Sequence, residues 1–388
     1  MNEKLKTAFE YAIETNSTEV FDALAKDFAS FPQEDKEWLL EHTIRTAQST
    51  DFIKHVLDYG YSLEYKDNDD TTLLHYAAMS NNPETVRFFI ERGLDVNAKE
   101  LHGWTPILFA ARNSGSVEVL KTLIEAGADT TVHAHNTLLE WLEIGFSLLH
   151  IAAAFNPAPD VTKFLLEQGF DIEDSSNEYK LTPLLFAARE QSNVEVFTLL
   201  MEAGADPFAR DECNNDLLSC AAENPSSEIM RYILSTFSVC QFESDGYAAL
   251  RDALYSGSSP EVVTLLLRAI RTELMRTAVD NENPGILDAL LRAGYDANTA
   301  DSDGTTAMMW AADHYQGTPD TIAMLRKNGA LWNAVDNEGR NALHYAAAND
   351  EHDLYEWMLK DNDFKTLAEQ KDKRGHKPVY YRMNRDDF

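Results

Sequence analysis

Small and apolar residues recur along the chain as a short motif that ends in a pair of alanines. Residues 72–78 (Thr-Leu-Leu-His-Tyr-Ala-Ala) form one copy, and residues 105–111 (Thr-Pro-Ile-Leu-Phe-Ala-Ala) form the next. The first alanines of successive copies, from Ala47 to Ala346, lie 30, 33, 42, 35, 34, 32, 25, 33 and 35 residues apart. Such a period indicates an array of repeats, each too small to bury its own hydrophobic face.

Each motif predicts one helix, and the residues behind it predict a second. Thr, Ser, Asp or Asn at the first position is a typical helix N-cap. Pro106 suits the first turn, because the N–H that proline lacks has no partner there. Apolar residues at helical spacing, such as Val86 and Phe89, predict the second helix. Gly93 then ends it as a left-handed C-cap, and a turn sequence leads into the next motif.

The helix pair, the glycine and the turn together resemble the ankyrin repeat over nearly the whole chain, in about eleven or twelve units. The resemblance implies an all-α-dominated repeat solenoid of stacked ankyrin helix-turn-helix units, with short β-hairpin fingers between them. It also implies that His75, His150 and His344, which share one position of the repeat, form hydrogen bonds between neighbouring units.

The regularity of the motif divides the chain into four stretches. Residues 1–66 are degenerate N-terminal helical or capping repeats, and residues 67–240 are ankyrin repeats with an insert near 131–142, where the spacing rises to 42. Residues 241–298 are irregular repeats, because the spacing of 25 leaves no room for a finger, and they form a candidate seam. Residues 299–388 are repeats and a C-terminal cap. The insert is either a binding loop or a drifted loop without a role.

The charge of the chain is strongly negative. Asp and Glu number 65 against 33 Lys and Arg, which gives a net charge of −32. Such a charge repels nucleic acid and anionic membranes, and it favours a basic partner; solubility alone is the simpler explanation. The three cysteines (Cys213, Cys220 and Cys240) include no Cys-x-x-Cys pair, and no signal peptide or membrane span is present in the sequence. We therefore expect a cytoplasmic monomer without direct nucleic-acid or membrane binding.

The motifs of catalytic and cofactor sites are absent from the sequence. It contains no Gly-x-x-x-x-Gly-Lys phosphate loop and no His-Glu-x-x-His zinc motif. His133 and His135 form a His-x-His pair in the insert, but two histidines without a third ligand are weak evidence for a metal. Cys220 should be buried and Cys213 exposed. We expect no catalytic residue, no cofactor and no metal, and hence no enzyme.

The resemblance also implies where a partner protein binds, because ankyrin repeats use their finger tips and the start of the first-helix groove for recognition. Aromatic residues in those places are typical binding anchors, and packing on the next finger is the alternative. Carried over by register, the predicted partner-binding residues are Asp69, His102, Trp104, Arg112, Tyr179, Arg189, Glu190, Glu212, Asp245, Tyr247, Tyr255, Asp303, Asp313, His314, Glu338 and Arg340.

These features predict a non-catalytic protein–protein interaction scaffold that binds a partner protein with a basic surface on its concave finger and inner-helix face. An alternative is an acidic inhibitor, of the immunity or nucleic-acid-mimic type, that neutralises a basic enzyme. A cryptic enzyme or effector with its site at the seam or insert, and a targeting subunit that acts only within a complex, remain further alternatives.

Overall fold

In the computed structural model, the described chain consists of α-helices, short 3-10 helices and the turns that join them. The structure describes residues 1–133, 145–242, 246–281, 284–313, 318–349, 352–384 and 387–388. The chain forms two compact units, Met1–Ile229 and Met230–Phe388.

The helices follow one another in pairs along most of the chain. Those of the first unit are α1 (Glu3–Glu14), α2 (Thr18–Leu24), α3 (Gln33–Thr46), α4 (Thr50–Leu57), α5 (Leu73–Met79), α6 (Pro83–Glu91), α7 (Pro106–Asn113), α8 (Val117–Glu125), α9 (Leu148–Phe155), α10 (Pro159–Glu167), α11 (Pro183–Glu190), α12 (Val194–Glu202) and α13 (Leu217–Glu223), with a 3-10 helix at Phe28–Ser30. Helix α14 (Ser227–Thr236) crosses the division. Those of the second unit are α15 (Tyr247–Ser256), α16 (Pro260–Val279), α17 (Pro284–Arg292), α18 (Ala307–Asp313), α19 (Pro319–Lys327), α20 (Ala342–Ala348), α21 (His352–Met358), α22 (Asn362–Leu367) and α23 (Pro378–Tyr381), with a 3-10 helix at Val239–Gln241.

The predicted capping residues begin and end these helices. Thr182 caps α11, since its hydroxyl oxygen accepts a hydrogen bond from the backbone N–H of Leu185 at 3.3 Å. Asp216 caps α13 in the same way. Gly93 follows α6 with φ +86°, a left-handed conformation in which most other residues would be strained. The local sequence therefore specifies where these helices begin and end.

The first helices of successive repeats pack against one another. In the first unit α5, α7, α9, α11 and α13 form one such row, and α4, α6, α8, α10 and α12 form a second row behind it. In the second unit α18, α20 and α23 form the equivalent row. The paired alanines, such as Ala77 and Ala78, are fully buried between neighbouring helices. This arrangement confirms the predicted all-α repeat solenoid.

The repeated histidines join each repeat to the next, as predicted. His75 Nε2 lies 3.0 Å from the carbonyl oxygen of Trp104, and His150 Nε2 lies 2.8 Å from that of Leu181. His344 makes the same contact at 3.3 Å. All three side chains are fully buried, so the ring N–H that donates each bond is shielded from water.

A second ladder of side chains joins the ends of the first helices. It was not predicted from the sequence. Asn156 Nδ2 donates to the carbonyl oxygens of Ala111 and Ser114, at 2.9 and 2.8 Å. Gln191 and Asn224 each donate to the two matching carbonyls of the preceding repeat, at 2.9 Å. These carbonyls belong to helix ends and have no partner within their own helix. Buried amides therefore satisfy groups that would otherwise destabilise the stack.

Helix α16 interrupts the pattern of paired helices. It runs for 20 residues without a turn, through the stretch in which the spacing predicts a missing finger. It contacts α15 on one side and both α17 and α18 on the other. One continuous helix thus takes the place of a second helix, a finger and the first helix of the next repeat.

The fingers are tight turns, and within the described residues they contain no β-strand. Isolated β-bridges join Lys66 to Thr72 and Ala300 to Thr306. The short β-hairpins implied by the resemblance are therefore reduced to turns. None of the helices in the described part of the chain combines the length and the apolar character needed to cross a membrane.

Candidate functional site

Each finger is held by an acidic or amide residue at its first position. In the finger of residues 336–340, the Asp336 carboxylate accepts hydrogen bonds from the N–H groups of Glu338 and Arg340, both at 2.8 Å. The Asp336 carbonyl accepts a further bond from Gly339 N–H at 3.0 Å. Asp67, Asp301 and Asp372 organise their fingers in the same way. The finger tips are therefore ordered in the absence of a partner.

Neighbouring fingers are joined by one backbone hydrogen bond, from the second residue of a finger to the third residue of the finger before it. The donor–acceptor pairs are Leu101 and Asp69, Glu212 and Tyr179, Asn337 and Asp303 (each 2.7 Å), and Lys373 and Glu338 (2.8 Å). Close approach requires a small residue in the Asp301 finger, because a Cβ on Gly304 would lie 3.0 Å from Asn337 Oδ1 and 3.1 Å from its backbone nitrogen.

Removing one of these bonds should destabilise the second unit. Asn337→Pro removes the backbone N–H that donates to the Asp303 carbonyl oxygen. It also removes the side-chain amide that donates to the Ser302 carbonyl oxygen at 2.8 Å. We expect a loss of about 1–2 kcal/mol in the free energy of unfolding. Ser302→Pro is the matched control, since proline is favoured at the same turn position and the Ser302 N–H has no acceptor within the described residues. Urea unfolding of both variants measures the difference, and equal losses would contradict the expectation.

A further contact ties several fingers to the helix that follows. The carboxylate at the first finger position accepts a hydrogen bond from the hydroxyl of a tyrosine nine residues later. The pairs are Asp67 with Tyr76 (2.5 Å), Asp336 with Tyr345 (2.7 Å) and Asp372 with Tyr381. Sequence analysis missed this contact, although the recurring Asp-x8-Tyr spacing is visible in the sequence.

This contact determines the charge state of Asp336. Burial alone would raise the pKa of its carboxyl group, but the hydrogen bonds from Tyr345 and Arg340 outweigh burial and hold the pKa below its usual value. Burial and the neighbouring carboxylate together raise the pKa of the Tyr345 hydroxyl, even though a hydrogen bond with Thr305 lowers it. Asp336 is therefore an ionised, buried anchor of its finger and does not face solvent.

Trp104 and Arg112 form a cluster beside the first helices of the first unit. The Trp104 ring is half-buried and meets Phe109 edge-on at 5.6 Å between ring centres. The Arg112 guanidinium lies 5.7 Å from the centre of the Trp104 ring and 5.1 Å from that of Phe155. The cluster holds an exposed cation against aromatic faces, and Trp104 packs against the first helix of its own repeat.

Ion pairs engage part of the predicted surface in the first unit. Arg189 pairs with Glu223 at 2.7 Å and approaches Glu190 at 3.8 Å. Glu212 pairs with Lys180. These side chains are exposed or half-exposed, so solvent screens the pairs and a partner can replace them at little cost.

Tyr247 and Tyr255 lie on helix α15, 52% and 86% exposed. The register placed Tyr247 at a finger tip, and the structure corrects this, because α15 begins at Tyr247 directly after its N-cap Gly246. Both tyrosines are exposed aromatic side chains of the second unit.

Arg340 makes several contacts within the second unit. Its side chain is 18% exposed and pairs with Asp336 at 2.7 Å. It also donates to the carbonyl oxygen of Phe388 at 2.9 Å, and its guanidinium lies 4.4 Å from the centre of the Phe388 ring. A partner that binds Arg340 would therefore compete with these contacts.

The remaining predicted residues differ in exposure, and two of them lie outside the described residues. Tyr179 is half-buried, and its carbonyl is used between fingers. Exposed side chains belong to Asp69, His102, Glu190, Asp303, Asp313 and Glu338. Asp245 and His314 lie outside the described residues, as does most of the insert at 131–142. Cys213 is exposed and Cys220 is buried, as predicted, and burial raises the pKa of the Cys220 thiol.

The negative charge is unevenly distributed between the two units. Met1–Ile229 contains 40 Asp and Glu against 16 Lys and Arg, whereas Met230–Phe388 contains 25 against 17. The first unit therefore carries three quarters of the excess of acidic residues, since the net charges are −24 and −8.

A family model described as ankyrin repeats (3 copies) matches residues 40–134, 132–211 and 274–368. The palmitoyltransferase AKR1 of Lachancea kluyveri is 31% identical over 156 residues, which cover 38% of this chain and 20% of that protein. The ankyrin repeat protein nuc-2 of Neurospora crassa is 28% identical over 167 residues, 43% of this chain and 15% of that protein. The chain spans 13% to 37% of the length of eight curated relatives.

Two further matches extend over more of the chain. The human transient receptor potential cation channel subfamily A member 1 is 24% identical over 383 residues, 88% of this chain and 32% of that protein. The crystal structure of the human ASB11 ankyrin repeat domain covers 60% of this chain and 96% of its own, at 21% identity and a TM-score of 0.43.

Proposed function

The chain belongs to the ankyrin-repeat family, and from this we propose that it is a non-catalytic scaffold which binds a basic partner protein on the finger and first-helix surface of its first unit. The observation that carries the proposal is the excess of acidic residues in that unit, 40 against 16. An excess of this size attracts a basic surface and accelerates the encounter. The ordered finger tips support it further, since a partner then pays little conformational entropy to bind them.

The proposal includes the state and the location of the protein. It acts as a monomer in a reducing compartment such as the cytoplasm. The exposed thiol of Cys213 supports this location, because exposed single cysteines persist where thiols are kept reduced.

Charge reversal on the finger surface tests the proposal. Asp69→Lys combined with Glu190→Lys changes two exposed acidic side chains of this surface. Affinity capture from the source cell should recover a basic partner with the unchanged protein at low salt. The double variant should recover at least about tenfold less of that partner. High salt should release the partner, since exposed charges are screened.

The matched control is Glu91→Lys with Glu125→Lys, which makes the same change in charge at exposed positions where α6 and α8 end. This variant should keep the partner. A partner that stays bound in high salt, or that both double variants lose equally, would contradict binding through the fingers.

An inhibitor of a basic enzyme is the second candidate, and the same acidic excess favours it. The two functions differ in one property of the captured partner. Inhibition predicts that a captured nuclease or other DNA-binding enzyme loses its activity in the complex, whereas a scaffold leaves the activity of its partner intact.

A further inference from the structure

The finger of residues 301–305 lacks a neighbour on one side. Its internal bonds match those of the next finger, because the Asp301 carboxylate accepts from Asp303 N–H at 3.0 Å and from Thr305 N–H at 2.8 Å. Ser302 therefore occupies the position whose N–H, in Asn337, donates to the preceding finger. Within the described residues, however, the Ser302 N–H has no hydrogen-bond acceptor.

The missing neighbour is the finger that helix α16 replaces. A cavity of about 500 Å³ lies at this place, and we refer to it as the finger gap. Arg268, Arg276 and Ser302 line the finger gap, together with Ser238 and Asp303. Its walls are thus residues of the preceding helices and the unsatisfied edge of the Asp301 finger, and its volume falls in the range of ligand sites.

The finger gap presents cations that are not neutralised. Arg268 and Arg276 are exposed, and neither forms an ion pair within the part of the chain that the structure describes. Glu273 and Asp301 also line the gap, but both carboxylates are engaged, by the Ser238 hydroxyl at 2.9 Å and by backbone N–H groups of the finger. The Asp303 carboxylate accepts no hydrogen bond from the described residues. Two arginines without acidic partners are unexpected in a chain with 65 acidic residues.

Among the fingers that the structure describes, those of Asn68 and Glu178 also lack the backbone bond. The repeats before Asn68 are the degenerate ones, and the stretch before Glu178 includes residues 134–144, outside the described residues. The finger gap differs from the other cavities beside described fingers, because its lining includes both an unused finger N–H and arginines.

We propose that the finger gap is a docking site for an acidic turn of a partner protein, which takes the place of the missing finger. A backbone carbonyl of the turn accepts from the Ser302 N–H, as Asp303 accepts from Asn337 in the next junction. Carboxylates of the turn pair with Arg268 and Arg276. Main-chain bonding at an exposed edge, with specificity from flanking side chains, is an established mode of peptide recognition. This site selects the opposite charge from the first-unit surface.

A synthetic probe tests the site without a natural partner. A fluorescent peptide with the sequence of residues 298–306 (Asn-Thr-Ala-Asp-Ser-Asp-Gly-Thr-Thr), closed by flanking cysteines, reproduces an acidic finger of this chain. We expect it to bind the 388-residue chain in anisotropy titrations. The amide resonance of Ser302 should shift during the titration, and a peptide with both aspartates changed to asparagine should bind about tenfold more weakly.

Three variants of the same 388-residue chain distinguish binding at the finger gap from general attraction of charge. Ser302→Pro removes the donor N–H and Arg276→Glu reverses a cation of the gap, so each should weaken binding about tenfold. Arg271→Glu is the matched control, because Arg271 is an exposed residue of the same helix that does not line the gap. It should leave binding within about twofold. Circular dichroism checks that each variant is folded, and Arg276→Gln replaces any charge reversal that is not.

Three outcomes would overturn the proposal. The first is no binding of the peptide at millimolar concentration, the second is unchanged binding by Ser302→Pro, and the third is a loss of binding in Arg271→Glu as large as that in Arg276→Glu. None of these results bears on the basic partner of the first unit, since the probe is acidic and the variants lie in the second unit.

Discussion

Asp336→Ala should lower the free energy of unfolding by about 3–5 kcal/mol, because it removes the centre of a buried charged network. The Asp336 side chain is fully buried and accepts hydrogen bonds from Arg340 Nε and the Tyr345 hydroxyl, both at 2.7 Å, and from two backbone N–H groups. The substitution leaves the Arg340 guanidinium without its anion. It also releases the finger from the helix that follows it.

Two variants define the origin of this loss. Tyr345→Phe removes only the hydroxyl and should cost about 1–2 kcal/mol. Glu338→Ala changes an exposed acid of the same finger and should stay within about 0.5 kcal/mol of the unchanged protein. Urea unfolding followed by circular dichroism measures all three variants. A loss below about 1 kcal/mol for Asp336→Ala would show that the network contributes little beyond its desolvation cost.

The period and the capping residues were sufficient to predict the helices, because both act within one repeat. Thr182 and Gly93 begin and end helices as their local chemistry requires. The burial of Cys220 followed from its place in the alanine motif. The roles of such residues could be predicted because the interactions that determine them lie within a single repeat.

The roles of surface residues depend on other repeats, and the sequence alone did not resolve them. Register predicts Arg340 at a finger tip but says nothing of its contact with Phe388, which lies 48 residues away. Tyr247 was assigned to a finger because the register assumed a turn, whereas the chain enters α15 at that residue. The unused Ser302 N–H became visible only by comparison with Asn337, since a missing finger changes the environment of the next finger and leaves its sequence unchanged.

Lowering the pH from 7 to 5 should destabilise the protein through His75, His150 and His344. Burial lowers the pKa of each imidazole below its usual value of 6.5, although hydrogen bonds to backbone carbonyls oppose this. The unfolded chain therefore binds protons below pH 6.5 that the folded chain excludes. The stability is fully present above that pH, and it falls as the pH drops from 6.5 towards the folded-state pKa values.

A hydrogen bond at Nδ1 adds to the effect of burial at two of the three histidines. Nδ1 of His75 and of His344 accepts from the backbone N–H of the helix cap, both at 3.1 Å. Protonation of Nδ1 would break that hydrogen bond. Each histidine contributes at most about 1.4 kcal/mol per pH unit, so the three together contribute up to about 4 kcal/mol per unit. Asp336 and Asp372 act separately, because their lowered pKa values place the loss of their contribution to stability below about pH 4.

Matched glutamine variants measure this contribution. His150→Gln can still donate to the Leu181 carbonyl but cannot be protonated, so it should reduce the slope of stability against pH by about 1.4 kcal/mol per unit. His102→Gln, at an exposed finger position, should leave the slope unchanged. Urea unfolding at pH 7, 6 and 5 gives the slopes. A free energy of unfolding that is constant over this range would contradict the expectation. It would mean that the three imidazoles are protonated as readily in the folded protein as in the unfolded chain, and hence that water reaches them between the repeats.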